Sequence, residues 1–322
     1  MPLIDESARG FYVISATPFA EDGAMDWAST DRLMDFYLEC GVDGVTILGV
    51  MGEAPKLSQE ESAAFVTRVM RRIGTRVPVV VGVTSAGFKL GGDLARHAMD
   101  LGAAGVMVAG TGALKTDDQI YAYVEGVLRE LGPEIPVVLQ DYPQTTNVYF
   151  SPTLLNRIFN DFPIVKMLKH EEAPGLRKIS KLRAAEASGA RKRRISILVG
   201  NGAQHMMQEL SRGADGAMTG FAFPEALVEV IRRWFAGDRE AAEDLYDAYL
   251  PVIRHENQLG LGLALRKETL RRRGIIASAR ARAPGPALDA DDQAELTHLL
   301  DRLERAKARL GISLPPLQLA GE

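Results

Sequence analysis

The stretch "DFPIVKMLKHEE", residues 161–172, predicts a buried β-strand that carries two lysines. A short apolar run that contains β-branched residues, as residues 164–169 do, is typical of a strand inside a parallel sheet. Lysine is rarely buried without a partner or a function. Lys166 and Lys169 therefore need separate explanations, and the strand around them is the starting point for predicting the fold.

Seven further runs of the same kind alternate along the chain with longer amphipathic segments. The eight predicted strands are residues 11–16, 44–48, 78–83, 105–109, 136–140, 164–169, 195–199 and 216–219. Alternating β and α segments indicate a parallel sheet, and eight such units are the number in a (β/α)8 TIM barrel. A doubly wound open sheet is the alternative, but its usual G-x-G-x-x-G loop does not follow the first run, which leads into "TPFAEDG".

The β pattern stops near residue 237, and three helical patterns follow it. A proline-punctuated connection, "IIASARARAPGPALD", separates the last two of them. The sequence therefore predicts an α/β chain in two parts: a (β/α)8 barrel over residues 1–236 and a C-terminal extension of three helices over residues 237–322.

Bulk properties narrow the class of protein. The 322 residues carry a net charge of -4, which gives no general attraction to nucleic acid or to an anionic membrane. No apolar run approaches the roughly 20 residues of a membrane span, and the first residues do not resemble a signal peptide. One cysteine, Cys40, excludes an intrachain disulfide and a multi-cysteine zinc site. We expect a cytoplasmic protein without nucleic-acid or membrane partners.

Strand geometry separates the two lysines. Side chains alternate across a strand, so Lys169 is expected to share a face with Met167 and Val165, whereas Lys166 shares the opposite face with Leu168. Lys169 also lies at the C-terminal end of its strand, and TIM-barrel chemistry occurs at that end. Lys169 is thus the candidate nucleophile.

Apolar surroundings would favour the chemistry of this lysine. Desolvation disfavours an unpaired ammonium and lowers its pKa, and a neutral amine attacks carbonyl carbon to form a Schiff base. The alternative is an ordinary structural lysine that reaches solvent or pairs with Glu171 or Asp141. Spacing alone leaves both alternatives open.

Several motifs outside this strand have a recognisable order. They are "TPF" at residues 17–19, a G-x-x-G-E loop (Gly49, Gly52, Glu53) before "LSQEE", Pro143 after strand 5, Pro163 six residues before Lys169, "GNG" after strand 7, and "LRKETLRRRGI" in the extension. In this order, over nearly the whole chain, they resemble the dihydrodipicolinate synthase/N-acetylneuraminate lyase family of Schiff-base TIM-barrel enzymes.

The resemblance implies roles for individual residues. Lys169 matches the lysine that forms an imine with pyruvate or another 2-keto acid. Gly49 with the backbone amides of Val50 and Met51 matches the loop that holds the keto-acid carboxylate, and Met218 matches a strand-8 position beside the bound acid. The family also implies a homo-oligomer, dimer or tetramer, with no metal or organic cofactor.

The chain departs from the family at its proton-handling positions. The loop "GVMGE" lacks the two hydroxyls of the usual G-T-T-G-E, and Gln140 replaces the strand-5 tyrosine, with Tyr142 two residues later. Thr145 stands at the position of a carboxylate-binding arginine, and residues 111–113 replace the motif that carries a cross-subunit tyrosine. An amide can hydrogen-bond a substrate oxygen but cannot transfer protons near neutral pH.

We therefore predict a class I lyase, aldolase or dehydratase that acts on pyruvate or another 2-keto acid. Lys169, Tyr142 and Gln140 are its predicted catalytic residues, and Thr145 is added to the substrate-binding set. Tyr142 ranks first as acid or base; the other candidates are Asp141, His170, Glu171 and His205. Three alternatives remain: a genuine 4-hydroxy-tetrahydrodipicolinate synthase with a different relay, a metal-dependent aldolase that uses the latter four residues, and a non-catalytic keto-acid-binding barrel.

Overall fold

Eight parallel strands close into a barrel in sequence order, with β8 paired to β1. The computed structural model describes residues 2–112, 114–173 and 175–314. The strands are β1 (Gly10–Ile14), β2 (Gly44–Ile47), β3 (Val79–Gly82), β4 (Gly105–Ala109), β5 (Val137–Asp141), β6 (Val165–His170), β7 (Ser196–Val199) and β8 (Gly216–Thr219). Every predicted strand overlaps an observed one, and the predicted (β/α)8 barrel is confirmed.

Helices follow the strands and surround the barrel. They are α1 (Trp27–Glu39), α2 (Gln59–Ile73), α3 (Phe88–Asp100), α4 (Asp117–Leu131), α5 (Pro143–Thr146), α6 (Pro152–Asp161), α7 (Leu176–Ala187), α8 (Met206–Ser211), α9 (Pro224–Ala236), α10 (Arg239–Glu256), α11 (Gly262–Arg272) and α12 (Ala290–Leu310). Ser58 and Thr116 begin α2 and α4 with reciprocal capping boxes, which satisfy backbone amides that a helix start leaves unpaired. Over the described residues, none of these helices combines the length and the apolar character needed to cross a membrane.

The last three helices, α10 to α12, form the C-terminal part of the chain. They begin at Arg239, next to the predicted boundary at residue 237, and α10 packs against both α9 and α12. The final residues of the predicted extension, 315–322, lie outside the described residues.

Apolar side chains form two layers, one between strands and helices and one inside the barrel. The inner layer consists of Ile4, Tyr12, Ile14, Val80, Ala104, Met107, Val138, Met167, Leu198 and Met218. These side chains fill the barrel below its C-terminal opening, so the space for a substrate lies at that opening.

A bulge in β6 changes one predicted face. Val137 pairs with Val165, but the next residue of β5, Val138, pairs with Met167, so Lys166 is an extra residue in the ladder. Val165 consequently packs in the outer layer rather than the inner one. The prediction that Val165 shares the inner face with Lys169 is wrong, whereas Met167 does share it.

Candidate active site

Lys169 lies inside the barrel near the C-terminal end of β6. Its neighbours in the ladder are Gln140 on β5 and Leu198 on β7, and only 3% of the lysine is exposed. Met167, two residues earlier, belongs to the apolar layer beneath it. The ammonium is therefore held at the top of the filled interior, where a bound molecule would meet it.

Lys166 lies at the other end of the same strand. Its Nζ lies 3.0 Å from Glu6 Oε1, toward the N-terminal end of the barrel. The two lysines thus lie toward opposite ends of the barrel, but the bulge interrupts the simple alternation on which the predicted face of Lys166 depended.

Glu171 is the direct partner of Lys169. The Lys169 Nζ lies 2.9 Å from Glu171 Oε2, and the Gln140 Nε2 donates a hydrogen bond of 2.6 Å to the same oxygen. The other carboxylate oxygen, Oε1, accepts a hydrogen bond of 3.1 Å from the backbone N–H of Asn201. Lysine, carboxylate and amide form one buried cluster, so the expectation of an unpaired ammonium is wrong and the paired alternative is observed.

The sequence contained a signal for this cluster. Glu171 follows Lys169 by two residues, and the same alternation that selected Lys169 also directs Glu171 to the inner face. A Cβ built on Gly200 would overlap Glu171 Cγ, so the first glycine of "GNG" leaves space for this side chain. Sequence reasoning nevertheless ranked Tyr142 above Glu171 as the proton-transfer residue.

Tyr142 lies at the rim of the site. It precedes α5 and is half-buried. Burial raises the pKa of its phenol, and the nearby Glu171 carboxylate raises it further, while a hydrogen bond with Thr145 acts in the opposite direction. The structure thus brings Tyr142 within electrostatic reach of Glu171, and Thr145 beside it is exposed at the surface.

The loop after β2 lies above the interior. A Cβ on Gly49 would be 3.4 Å from Met107 Cε, so the loop passes close over the apolar layer. Val50–Gly52 form a single 3-10 turn, whose first amides have no earlier carbonyl within the turn to bond. Met51 packs against the inner layer, whereas the Val50 side chain faces outward. These backbone amides are therefore suited to an anion, and Met218 is fully buried beneath the opening.

A buried charge cluster connects this loop to the C-terminal helices. The Glu53 carboxylate accepts hydrogen bonds from Lys267 Nζ at 2.6 Å, Lys56 Nζ at 2.8 Å and the Arg282 backbone N–H at 2.9 Å. Lys267 is fully buried on α11. The C-terminal helices thus fix the position of the loop after β2, a connection that no sequence pattern indicated.

The remaining acid/base candidates do not join the cluster around Lys169. Asp141 and His170 are fully buried, with His170 Nδ1 3.4 Å from Asp141 Oδ2, and Lys178 Nζ contacts the same oxygen at 2.8 Å. His205 lies at the start of α8. Within the described ranges, no three or more His, Cys, Asp or Glu side chains are arranged to hold a metal ion. The four ligands of the metal-dependent alternative therefore do not converge there.

Comparisons with known proteins agree with this geometry. Residues 7–303 match the model of the dihydrodipicolinate synthetase family. An L-2-keto-3-deoxyarabonate dehydratase of Azospirillum brasilense is 31% identical over 304 residues, which cover 92% of this chain and 94% of that protein.

Two crystal structures extend the comparison. A dihydrodipicolinate synthase from Rhodopseudomonas palustris is 45% identical, with a TM-score of 0.91 over 94% of this chain and 100% of that one. The Escherichia coli protein YagE, in complex with pyruvate, is 25% identical, with a TM-score of 0.84 over 92% of this chain and 98% of that one.

Proposed function

The chain belongs to the dihydrodipicolinate synthetase family, and from this premise we propose that it is a dehydratase that forms an imine between Lys169 and a 2-keto-3-deoxy sugar acid. As a member of this family it is a lyase that acts on a 2-keto acid. The observation that carries the finer proposal is the 2.9 Å contact between Lys169 Nζ and Glu171 Oε2 inside the barrel.

Imine formation requires the lysine to lose a proton. The Glu171 carboxylate lies in hydrogen-bonding distance of the ammonium and accepts that proton, which leaves a neutral amine to attack the keto carbon. Gln140 and the Asn201 N–H hold the carboxylate in place through one hydrogen bond to each oxygen. Condensation of amine and ketone then releases one water, to which Glu171 returns the proton, so that its carboxylate is ionised again.

Water elimination follows from the imine. The imine acidifies the protons on C3, Glu171 takes one of them, and the enamine that results expels the C4 hydroxyl. That hydroxyl needs a proton to leave as water, and Tyr142 can supply it because burial and Glu171 raise the pKa of its phenol and keep it protonated. Hydrolysis of the unsaturated imine releases the product and restores Lys169.

The carboxylate of the substrate fits the loop after β2. In the proposal, the amides of Val50 and Met51 bind the C1 carboxylate, and Gly49 lets the loop lie close above the interior. Met218 and the apolar layer exclude water beneath the imine. Thr145 lies beside Tyr142 at the rim, where it can contact the outer part of the substrate.

Two observations favour dehydration over synthesis of a dihydrodipicolinate precursor. The relative that covers 92% of this chain is named as a dehydratase. Gln140, Val50 and Met51 replace the hydroxyls of the synthase relay, whereas Glu171 is available to transfer protons. The synthase remains the second candidate, because the 45% identical structure is described as a synthase.

Borohydride trapping tests the imine. Incubation with pyruvate and borohydride, followed by peptide mass mapping, should place a reduced pyruvyl group on Lys169 in the wild-type protein and in Lys166→Arg, but not in Lys169→Arg. Absence of an adduct with pyruvate and with a series of longer keto acids contradicts the imine. Turnover of pyruvate with aspartate semialdehyde, without turnover of 2-keto-3-deoxypentonate, would favour the synthase.

We also propose that the protein is a homo-oligomer. Phe88 and Leu90 lie in the first turn of α3 with 39% and 47% of their surface exposed. Large exposed apolar side chains close together on one helix are typical of an interface. Light scattering after size exclusion should give a multiple of the 35.0 kDa chain mass, and Leu90→Glu should lower it. A wild-type mass of one chain at micromolar concentration would contradict the proposal.

A further inference from the structure

Arg266 reaches the barrel mouth from outside the barrel sequence. It lies on α11, and only 4% of it is exposed. A Cβ built on Gly220 would overlap Arg266 Nη1 and would lie 3.1 Å from the Ile14 carbonyl oxygen. Gly220 follows β8 two residues after Met218, whose side chain faces the interior, so the guanidinium covers the opening where β8 meets β1.

One nitrogen of this guanidinium has nothing to bond. Arg266 Nε donates to Glu256 Oε2 at 3.1 Å, but within the described residues Arg266 Nη1 and Glu256 Oε1 are both buried without a hydrogen-bond partner. A buried donor that remains unsatisfied costs free energy, and such groups in native proteins require an explanation. A ligand that binds at the mouth would satisfy Nη1.

The charges indicate which chemical group that ligand carries. Glu256 already balances the charge of Arg266, so the pair is neutral as a whole. A neutral hydroxyl group can accept a hydrogen bond from Nη1, whereas a second carboxylate would also meet the negative charge of Glu256. The pair therefore suits a hydroxylated chain better than a dicarboxylic acid.

Arg266 also lies close to the reacting end of the proposed site. Its positive charge lowers the pKa of the Tyr142 phenol, against the effects of burial and of Glu171. Tyr142 thus lies within electrostatic reach of both Glu171 and Arg266. A keto acid bound at Lys169 would extend past Tyr142 toward the free Nη1.

We propose that Arg266 is a specificity-determining residue whose Nη1 binds a distal hydroxyl of the substrate, with Glu256 as the buried partner that holds the guanidinium in place. The inference rests on the proposed function, because it requires the keto end of the substrate to be held at Lys169. It assigns the substrate to hydroxylated keto acids that have a hydroxyl beyond C4, the carbon that loses water.

The test compares two substrates across matched variants. Arg266→Lys keeps the charge beside Glu256 but removes Nη1, and Arg271→Lys is the control, because Arg271 is an exposed arginine on the same helix that is also paired with a glutamate, Glu268. We expect Arg266→Lys to lower kcat/KM for 2-keto-3-deoxypentonate by about 10- to 100-fold, the scale of a hydrogen bond to a charged group. Its 5-deoxy analogue, which lacks the distal hydroxyl, should lose far less.

A second variant guards against loss of folding. Gly220→Ala displaces Nη1 without breaking the ion pair, and Gly87→Ala, whose methyl would meet only Leu90 at 3.7 Å, is its control. Gly220→Ala should also reduce the ratio of kcat/KM for 2-keto-3-deoxypentonate to kcat/KM for its 5-deoxy analogue. The melting temperature of each variant is measured to detect loss of folding. An equal loss on both substrates in both variants, or a preference of the wild type for a dicarboxylic keto acid of the same length, overturns the role of Arg266. Failure of wild-type pyruvate trapping on Lys169 instead overturns the proposed function.

Discussion

The two ends of the barrel both hold charged side chains, but those side chains have different partners. At the N-terminal end, Glu6 Oε1 lies 3.0 Å from Lys166 Nζ and 2.8 Å from Arg193 Nη1. Asp215 at the same end lies 2.6 Å from Arg183 and accepts a hydrogen bond of 2.9 Å from a backbone N–H. These charged side chains pair with other groups of the protein, and the pairs connect the segments that lead into the strands.

At the C-terminal end, Glu53 with Lys267 and Asp141 with Lys178 are also paired within the protein, but two further ion pairs differ from them. Lys169 pairs with Glu171 in the site where the proposed substrate binds. Arg266 and Glu256 meet each other through one pair of atoms and leave Nη1 and Oε1 without partners among the described residues. The ion pairs at the N-terminal end stabilise the fold, whereas these two at the C-terminal end are suited to bind and react. The lysines of β6 divide between the two ends.

Replacement of each β6 lysine in turn should give the largest difference in activity between the two ends. Lys169→Met should abolish imine trapping and lower kcat by at least about 1,000-fold, because no other group replaces the covalent nucleophile. Lys166→Met at the other end should retain both imine trapping and the wild-type kcat. Mass mapping and initial rates measure these outcomes, and an active Lys169→Met variant would remove the basis for the proposed mechanism.

The next largest effect is expected at Glu171. Glu171→Gln keeps the shape of the side chain but removes proton transfer, so kcat should fall by about 100- to 10,000-fold, the usual contribution of a positioned acid or base. Glu6→Gln removes a carboxylate of the same type at the opposite end and is the control for general charge loss. A Glu171→Gln variant with a normal rate would transfer the acid/base role to Tyr142.

The link between the extension and the mouth should affect both stability and binding. Lys267→Met leaves Glu53 without its closest buried partner, and loss of one member of a buried ion pair costs about 3–5 kcal/mol of unfolding free energy. KM for the keto acid should also rise, because Glu53 anchors the turn that we propose binds the carboxylate. Lys56→Met, which removes a more exposed partner of the same carboxylate, should have a smaller effect in both assays. Urea unfolding and initial rates separate the two variants.

The sequence predicted the parts of this comparison that depend on local pattern. The order of the two lysines along β6 places Lys169 at the C-terminal end of the strand, and alternation from Met167 to Glu171 places Lys169 and Glu171 on the inner face. The bulge at Lys166 could not be predicted, because it depends on the register between β5 and β6. Arg266 was missed for a related reason: its position depends on how α11 packs on β8, and residue spacing holds no information about such long-range packing.

The smallest predicted effect is a pH dependence with opposite signs at the two ends. Burial, followed by the charge of Glu171, raises the pKa of Glu209 to about 7, from an ordinary value of 4.5. Folded protein therefore holds a proton that the unfolded chain has released, and this contribution to stability is lost as pH rises from 4.5 to about 7. For Glu6, burial raises the pKa, but the hydrogen bond and charge of Lys166, a backbone hydrogen bond and the charge of Arg193 together lower it below its ordinary value, so its contribution is lost as pH falls below 4.5.

Stability measured against pH in two variants separates these contributions. The side chain introduced by Glu209→Gln cannot ionise. Between pH 4.5 and 7 the unfolding free energy of the variant should therefore increase relative to that of the wild type, by on the order of 3 kcal/mol at most. Glu6→Gln should show no such gain over that interval, because wild-type Glu6 is already ionised there and paired with Lys166. Parallel curves for the wild type and Glu209→Gln would mean that Glu209 is ionised in the folded protein. Burial would then not control its charge, and the contrast between the two ends would rest on the ion pairs alone.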